Sequence, residues 1–189
     1  MKRLFPSLPA DATLASVYRS FPEKLSPWCE YESQIMRGES ELTVAERELI
    51  AAYVSGLNAC TYCHEAHTVF ARAYGIDAEV IDALMLDLKA APIDSRLKPI
   101  LAYVETLTLS PSRMTEADAQ AVYDAGWSER ALFDAIQVCC VFNFVNRLVE
   151  GTGISFDGGE ASAVSDDDLA ELRSDTFYTD FARENGVKI

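Results

Sequence analysis

The sequence predicts an all-α protein with one main domain. Segments along most of the chain begin with helix-capping residues and end at a glycine, whereas no run alternates apolar and polar residues as a half-buried strand does. The chain has 189 residues, 49% of them hydrophobic, which is enough to bury one substantial core. We therefore expect a bundle of helices.

Each predicted helix has an identifiable start or stop. Thr43 and Glu46 form a capping box before an apolar run, Asn58 is the expected cap of the next helix, and Ser128 is the expected cap of the longest one. The predicted stops are glycines, namely Gly38, Gly75, Gly126 and Gly151. The predicted helices are residues 26–37, 43–57, 60–74, 77–86, 94–109, 115–125 and 128–150.

The end of the chain differs in composition from the part before it. We assign residues 1–155 to a single helical domain and residues 156–189 to an acidic C-terminal helical extension of that domain, since residues 157–189 hold nine acids against three bases. A helix is expected to begin at 166–168. The extension either covers a neighbouring subunit or is a solvated terminal helix. A weak similarity between residues 74–76 and 152–154 is compatible with a duplicated helical unit.

Charge and composition exclude several classes of partner. The formal net charge of −14 would repel phosphate backbones and anionic lipid surfaces, so neither nucleic acid nor a membrane is an expected partner. The N-terminus shows no export signal, and we expect no window to approach the length of a membrane span, so we expect a cytoplasmic protein. There the five cysteines should stay reduced. Cys29, Cys139 and Cys140 are interpreted as packing residues.

A cluster of thiols and imidazoles is the strongest functional signal. Cys60 and Cys63 fall in the first turn of a predicted helix, where free backbone N–H groups and the helix dipole stabilise a thiolate. His67 follows on the same helix face and is suited to carry a proton to or from either thiol. Glu48, on the preceding helix, is placed to orient the ring of His67. This arrangement predicts thiol redox chemistry.

Two metal-based alternatives use the same residues. Cys60, Cys63, His64 and His67 are zinc-ligand types, but four ligands on two helical turns have difficulty surrounding one ion. The string from Cys60 to His64 also matches the c-type haem attachment pattern, which requires export. We therefore predict no bound metal and no bound cofactor, and we interpret His64 as a surface or subunit-contact residue.

Three parts of the chain resemble the carboxymuconolactone decarboxylase and alkylhydroperoxidase D superfamily. The first comprises residues 46–51, 57–63 and 67, in which Glu48, Cys60, Cys63 and His67 match the spacing of the peroxidase branch. Residues 114–118 and 142–154 resemble the peroxidase-related enzyme subgroup. The resemblance covers most of residues 20–155. Some members carry a histidine immediately before the second cysteine, where this chain has Tyr62.

The resemblance implies a fold, an activity and partners. The fold would be an alkylhydroperoxidase D-like helical bundle, assembled as a homo-oligomer, commonly a trimer or hexamer. A hydroperoxide would oxidise Cys63 to a sulfenic acid, while Cys60 would supply a proton and then close the disulfide. Glu48 and His67 would form the proton relay. An external dithiol, a lipoyl-bearing protein in the best-known relatives, would restore the thiols.

Other functions remain open at this point. Decarboxylase members of the superfamily lack the cysteine pair, so lactone decarboxylation is not expected. A disulfide reductase or a redox-sensing partner protein is the main alternative, because nothing in the sequence identifies the oxidant. A noncatalytic oligomeric scaffold that kept the motif is a third class.

Overall fold

A computed structural model describes residues 4–154 and 165–189. Within those ranges the chain forms ten α-helices, one short 3-10 helix at Pro111–Arg113 and no strand, so the all-α prediction is confirmed. The helices are α1 (Leu14–Ser20), α2 (Ser26–Arg37), α3 (Val44–Leu57), α4 (Thr61–Ala73), α5 (Ala78–Leu86), α6 (Lys98–Leu109), α7 (Glu116–Asp124), α8 (Glu129–Thr152), α9 (Asp166–Glu171) and α10 (Phe177–Glu184).

Local capping signals set most of the helix boundaries. The capping box at the start of α3 is formed, since the Thr43 backbone N–H donates to the Glu46 carboxylate at 2.7 Å and Thr43 Oγ1 accepts from the Glu46 N–H at 3.2 Å. Ser128 caps α8 through the N–H of Ala131 at 3.1 Å. Gly75 follows α4 with a φ of 95°, the left-handed conformation expected at a helix end.

Three predicted boundaries were wrong. Asn58 does not cap α4; it is the C-cap that follows α3, and Cys60 is the N-cap of α4. Helix α6 begins at Lys98 rather than at Asp94, because an earlier start would place Pro99 in the helix interior, where it lacks an N–H donor. Helix α8 continues through Gly151 to Thr152 and ends at Gly153, whose φ is 70°.

Helices α3 and α8 form the centre of the core. Residues 47–55 of α3 are all buried, and the helix packs against α4, α5, α6 and α8. By length and composition α8 is apolar enough to cross a membrane, so the expectation that no window approaches that size was wrong. Of its most apolar window, 56% is buried inside the protein, as is common for a core helix.

The described part of the acidic extension packs on the domain. Ser165 caps α9, which lies on α4, and α10 packs against α2. Tyr178 and Ala182 of α10 are buried, so α10 is not a solvated helix. The start of the extension falls on residues 155–164, outside the described residues. The boundary between domain and extension, the subunit contact and the duplicated unit stay predictions.

Candidate active site

The short connection between α3 and α4 positions the two thiols. Ala59 takes a left-handed φ of 54°, and the N–H of Cys60 donates to the Ser55 carbonyl at 3.0 Å. This turn places Cys60 at the N-cap of α4 and Cys63 one turn further along. Cys60 is 0% exposed and Cys63 is 2% exposed, so both sulfurs lie in the protein interior.

The two thiols share a proton through a hydrogen bond. Donation from the Cys63 thiol, helped by the Cys63 backbone N–H, lowers the pKa of Cys60 despite its burial. The same hydrogen bond, together with burial, raises the pKa of Cys63. The pair therefore titrates as a unit, with the first negative charge held on Cys60 and the proton on Cys63.

A chain of side-chain amides reaches the thiols from α8. Asn146 is 1% exposed, accepts from the Asn58 amide at 2.9 Å and donates to the Ser55 hydroxyl at 3.0 Å. A further hydrogen bond from Asn146 to Cys63 opposes the rise in the pKa of that thiol. Asn146 is thus placed to stabilise negative charge on Cys63.

Glu48 and His67 are in direct contact, as their predicted roles require. Glu48 is 0% exposed, and its Oε2 lies 2.7 Å from Nδ1 of His67. Because an ionised carboxylate only accepts hydrogen bonds, Nδ1 of His67 must carry the hydrogen, which leaves Nε2 free to exchange a proton. The ring of Phe142 packs edge-on against the imidazole, with centroids 4.2 Å apart, and fixes its position.

Two residues that the sequence did not point to complete the environment of Glu48. Arg37 donates from Nη1 to Glu48 Oε1 at 2.6 Å, and the Tyr178 hydroxyl donates to the same oxygen at 3.0 Å. Burial alone would raise the pKa of Glu48, but the hydrogen bond and charge of His67, followed by those of Arg37, outweigh it and lower the pKa. Glu48 is therefore ionised at neutral pH.

A second buried carboxyl lies within electrostatic range of Glu48 and Cys63. Glu32 of α2 is 7% exposed. Burial, followed by the neighbouring Glu48 carboxylate, raises the pKa of Glu32 to about 8, and Arg37 opposes this only in part. Glu32 also raises the pKa of Cys63. The site thus holds one ionised and one protonated carboxyl group.

The remaining residues of the cluster have structural contacts. Nδ1 of His64 lies 2.9 Å from the Ala52 carbonyl and packs beside Gly56. Cys29 and Cys139 are buried, as packing residues are, whereas Cys140 is exposed, so its interpretation as a packing residue was wrong. In the part of the chain that the structure describes, no three side chains of His, Cys, Asp or Glu are grouped so that they could hold a metal ion.

Sequence reasoning missed Arg37, Tyr178, Asn146 and Glu32. Asn146 lies in one of the strings that resembled the peroxidase-related subgroup, so it had a signal that was not used. Arg37 is the last residue of α2, where a cation is usually explained by the helix dipole. Tyr178 is 130 positions from the carboxylate it contacts, and no local pattern marks it.

Comparison with known proteins confirms the family resemblance and the fold. Residues 22–99 match the model of the carboxymuconolactone decarboxylase family. An uncharacterised peroxidase-related protein from Silicibacter sp. TM1040 is 29% identical, with a TM-score of 0.72 over 78% of this chain and 79% of the other. No curated protein matches the sequence.

Two further solved structures share the fold at lower identity. An uncharacterised peroxidase-related protein from Ralstonia eutropha JMP134, described as an alkylhydroperoxidase AhpD core, is 22% identical, with a TM-score of 0.72 over 79% of this chain and 80% of the other. A debrominase solved with 2,3,4-tribromopyrrole is 13% identical, with a TM-score of 0.67 over 84% of this chain and 81% of the other. The chain therefore has an alkylhydroperoxidase D-like fold.

Proposed function

We propose that this protein is a thiol-dependent peroxidase that reduces hydroperoxides through Cys60 and Cys63, with Glu48 and His67 as a proton relay. One observation carries the proposal. Two buried, mutually hydrogen-bonded thiols lie at a helix N-terminus, on the same helix as a histidine that an ionised carboxylate holds in place. Such an environment stabilises a thiolate and provides the base that peroxide reduction requires.

The proposed oxidation consumes one hydroperoxide and two thiols. The proton of Cys63 moves to Nε2 of His67, and the resulting thiolate attacks the terminal peroxide oxygen. The O–O bond breaks, an S–O bond forms, and the departing alkoxide takes the proton from His67 to become an alcohol. The Cys60 thiolate then attacks the Cys63 sulfenic acid, so that a disulfide forms and hydroxide leaves as water after taking a proton from solvent.

The geometry supports different roles for Glu48 and His67 within the relay. Glu48 stays ionised and holds the Nδ1 hydrogen of His67, so the imidazole rather than the carboxylate carries the mobile proton. We assign acceptance of the Cys63 proton to His67 rather than to Cys60, because the lowered pKa of Cys60 makes its thiolate a weak base. Asn146 stabilises the charge as it moves to Cys63.

An external dithiol must reduce the disulfide, and a lipoyl-bearing protein is the proposed reductant. The main alternative is a reductase or sensor that reacts with a protein disulfide. The burial of both sulfurs, which are at most 2% exposed, favours a small hydroperoxide over a bulky protein disulfide as oxidant, and it is compatible with a lipoyl-bearing reductant only if the slender lipoyl arm enters the site. We also propose a cytoplasmic homo-oligomer, a trimer or hexamer, whose size light scattering would measure.

Cysteine variants test the assignment. Cys63→Ser should abolish consumption of cumene hydroperoxide, whereas Cys60→Ser should leave a sulfenic acid on Cys63 that dimedone traps. Cys140→Ser, at the exposed thiol on α8, is the matched control and should react as the wild type does. Unchanged consumption of cumene hydroperoxide by Cys63→Ser would contradict the peroxidase assignment. Dimedone labelling of Cys60 in the Cys63→Ser variant would reverse the roles of the two thiols.

A further inference from the structure

We propose that Arg37 and Tyr178 are positioning residues of the relay, and that the C-terminal helix α10 is required to complete the site. This inference rests on the proposed peroxidase function and extends it to a part of the chain outside residues 22–99, which the family model matches. It assigns a role in the site to the acidic extension.

The two residues bind one oxygen of Glu48 and leave the other for His67. Oε1 accepts from Arg37 at 2.6 Å and from Tyr178 at 3.0 Å, while Oε2 accepts from His67 at 2.7 Å. A carboxylate oxygen has two acceptor sites, so Arg37 and Tyr178 fill those of Oε1. Rotation of the carboxylate about the Cγ–Cδ bond would break the hydrogen bonds from Arg37 and Tyr178. The orientation of Oε2 toward the imidazole is therefore fixed from the opposite side.

The C-terminal segment also holds Arg37 itself. Nε of Arg37 donates to the Ser174 carbonyl at 3.2 Å, and its guanidinium lies 4.9 Å from the ring centroid of Tyr178. The ring of Tyr74, on the other hand, belongs to the end of α4 and lies 5.2 Å from the guanidinium. Together these contacts desolvate Arg37 and restrict its movement. Two residues of the unmatched segment 165–189 thus act on Glu48: Tyr178 contacts it directly, and Ser174 acts through Arg37.

The contacts have a chemical consequence for the relay. A carboxylate that is 0% exposed would take up a proton unless donors compensate for the lost water. The charged and titratable groups that face Glu48 come from α2, α3, the α4 region and α10, and they are Glu32, Arg37, Arg47, His67, Tyr74 and Tyr178. Of these, the anionic form of Glu32 opposes ionisation of Glu48. Removal of the Tyr178 hydroxyl therefore weakens the carboxylate form and loosens its hold on His67.

Tyr178→Phe tests the role of the hydroxyl, with Tyr18→Phe as the matched control. Tyr18 is also a buried tyrosine beside α10, since its ring lies 5.5 Å from that of Phe181, but its hydroxyl accepts from Trp28 and does not contact Glu48. We expect Tyr178→Phe to lower kcat/KM for cumene hydroperoxide about tenfold, the effect of one hydrogen bond to a charged group. The acidic side of the pH profile of kcat/KM should move to higher pH, because loss of the hydroxyl donor raises the pKa of Glu48. Tyr18→Phe should change neither quantity.

A second readout does not depend on turnover. The ¹⁵N chemical shifts of the two imidazoles report which ring nitrogen carries the hydrogen, and a His64→Gln variant assigns the signals. We expect the Nδ1–H form of His67 in the wild type and in Tyr18→Phe, and a mixture of tautomers in Tyr178→Phe. Unchanged tautomers together with an unchanged pH profile would overturn the positioning role. Absence of hydroperoxide consumption by the wild type would instead overturn the proposed function and leave the tautomer result to decide the positioning role.

Discussion

Glu48 and Glu32 are both buried carboxyl groups, yet at neutral pH Glu48 is ionised and Glu32 is protonated. Glu48 is 0% exposed and has a lowered pKa, because it accepts hydrogen bonds from His67, Arg37 and Tyr178. Glu32 is 7% exposed, and burial and the neighbouring Glu48 raise its pKa to about 8. Burial alone would make both groups neutral. The donors around each carboxyl, rather than its depth, decide which one is ionised.

The difference between Glu48 and Glu32 explains how the site keeps one carboxylate ionised away from water. A buried ion pair is costly to form and still more costly to break, because removal of one partner leaves an uncompensated charge. Here Arg37 donates a hydrogen bond to Glu48, whereas it offsets only part of the rise in the pKa of Glu32. Protonation of Glu32 therefore prevents a second buried anion beside the thiols.

The largest effect is expected from Glu48→Gln. The variant keeps the size of the side chain but removes the charge that holds the Nδ1 hydrogen of His67, and it leaves Arg37 without its buried partner. Hydroperoxide consumption at pH 7 should fall by about hundredfold or more, as is typical for lost acid and base assistance. Circular dichroism would verify that the helices persist. Full activity in a folded Glu48→Gln protein would show that the relay is not used.

Glu32→Gln should change stability in a pH-dependent way while it preserves the rate. Since the pKa of Glu32 is raised to about 8 in the folded state, its carboxyl group ionises first in the unfolded chain. The free energy of unfolding therefore falls as pH rises from about 4.3, the unfolded value, to about 8. The amide variant cannot ionise and avoids this loss. Relative to pH 4.5, it should gain about 4 kcal/mol over the wild type at pH 9, measured by urea unfolding.

The rate provides the control for the same variant. At pH 7 an amide replaces a carboxyl group that is already neutral, so hydroperoxide consumption by Glu32→Gln should stay within about threefold of the wild type. An equal difference in unfolding free energy at pH 4.5 and pH 9 would mean that Glu32 is ionised in the folded protein. That result would contradict the proposed difference in ionisation between Glu32 and Glu48.

An effect smaller than that of Glu48→Gln is expected on the thiol side, where Asn146 has the role that donors have around Glu48. Asn146→Ala removes the hydrogen bond to Cys63 and should lower the rate about tenfold and shift iodoacetamide labelling from Cys63 toward Cys60. Asn143→Ala is the matched control, because Asn143 accepts from the same Asn58 amide but its own amide donates to Thr108 and Cys139. Equal behaviour of the two variants would assign Asn146 a purely structural part.

Local signals in the sequence predicted most of the helices and the motif, since a capping box such as Thr43 with Glu46 acts within one turn. The spacing of Glu48, Cys60, Cys63 and His67 likewise reflects two adjacent helices. Asn58 was misassigned because the same residue type caps a helix at either end, and Pro99 rather than Asp94 determined the start of α6. In both cases the sequence offers two local signals for one helix boundary, and the prediction relied on the wrong one.

The environment of the motif could not be predicted in the same way. Tyr178 reaches Glu48 only because α10 packs on α2, and the charge of Glu32 depends on a carboxylate on another helix. Both facts follow from packing between segments that are distant along the chain. A spacing rule that acts over a few residues contains no information about them.

A single-turnover thiol count tests the central claim most directly. Reduced wild-type protein is mixed with one equivalent of cumene hydroperoxide at pH 7, the remaining thiols are counted, and the disulfide is located by peptide mass spectrometry. We predict the loss of two of the five thiols per chain, a disulfide between Cys60 and Cys63, and recovery of both thiols by dihydrolipoamide. A count that stays at five after exposure to the hydroperoxide would contradict the peroxidase assignment.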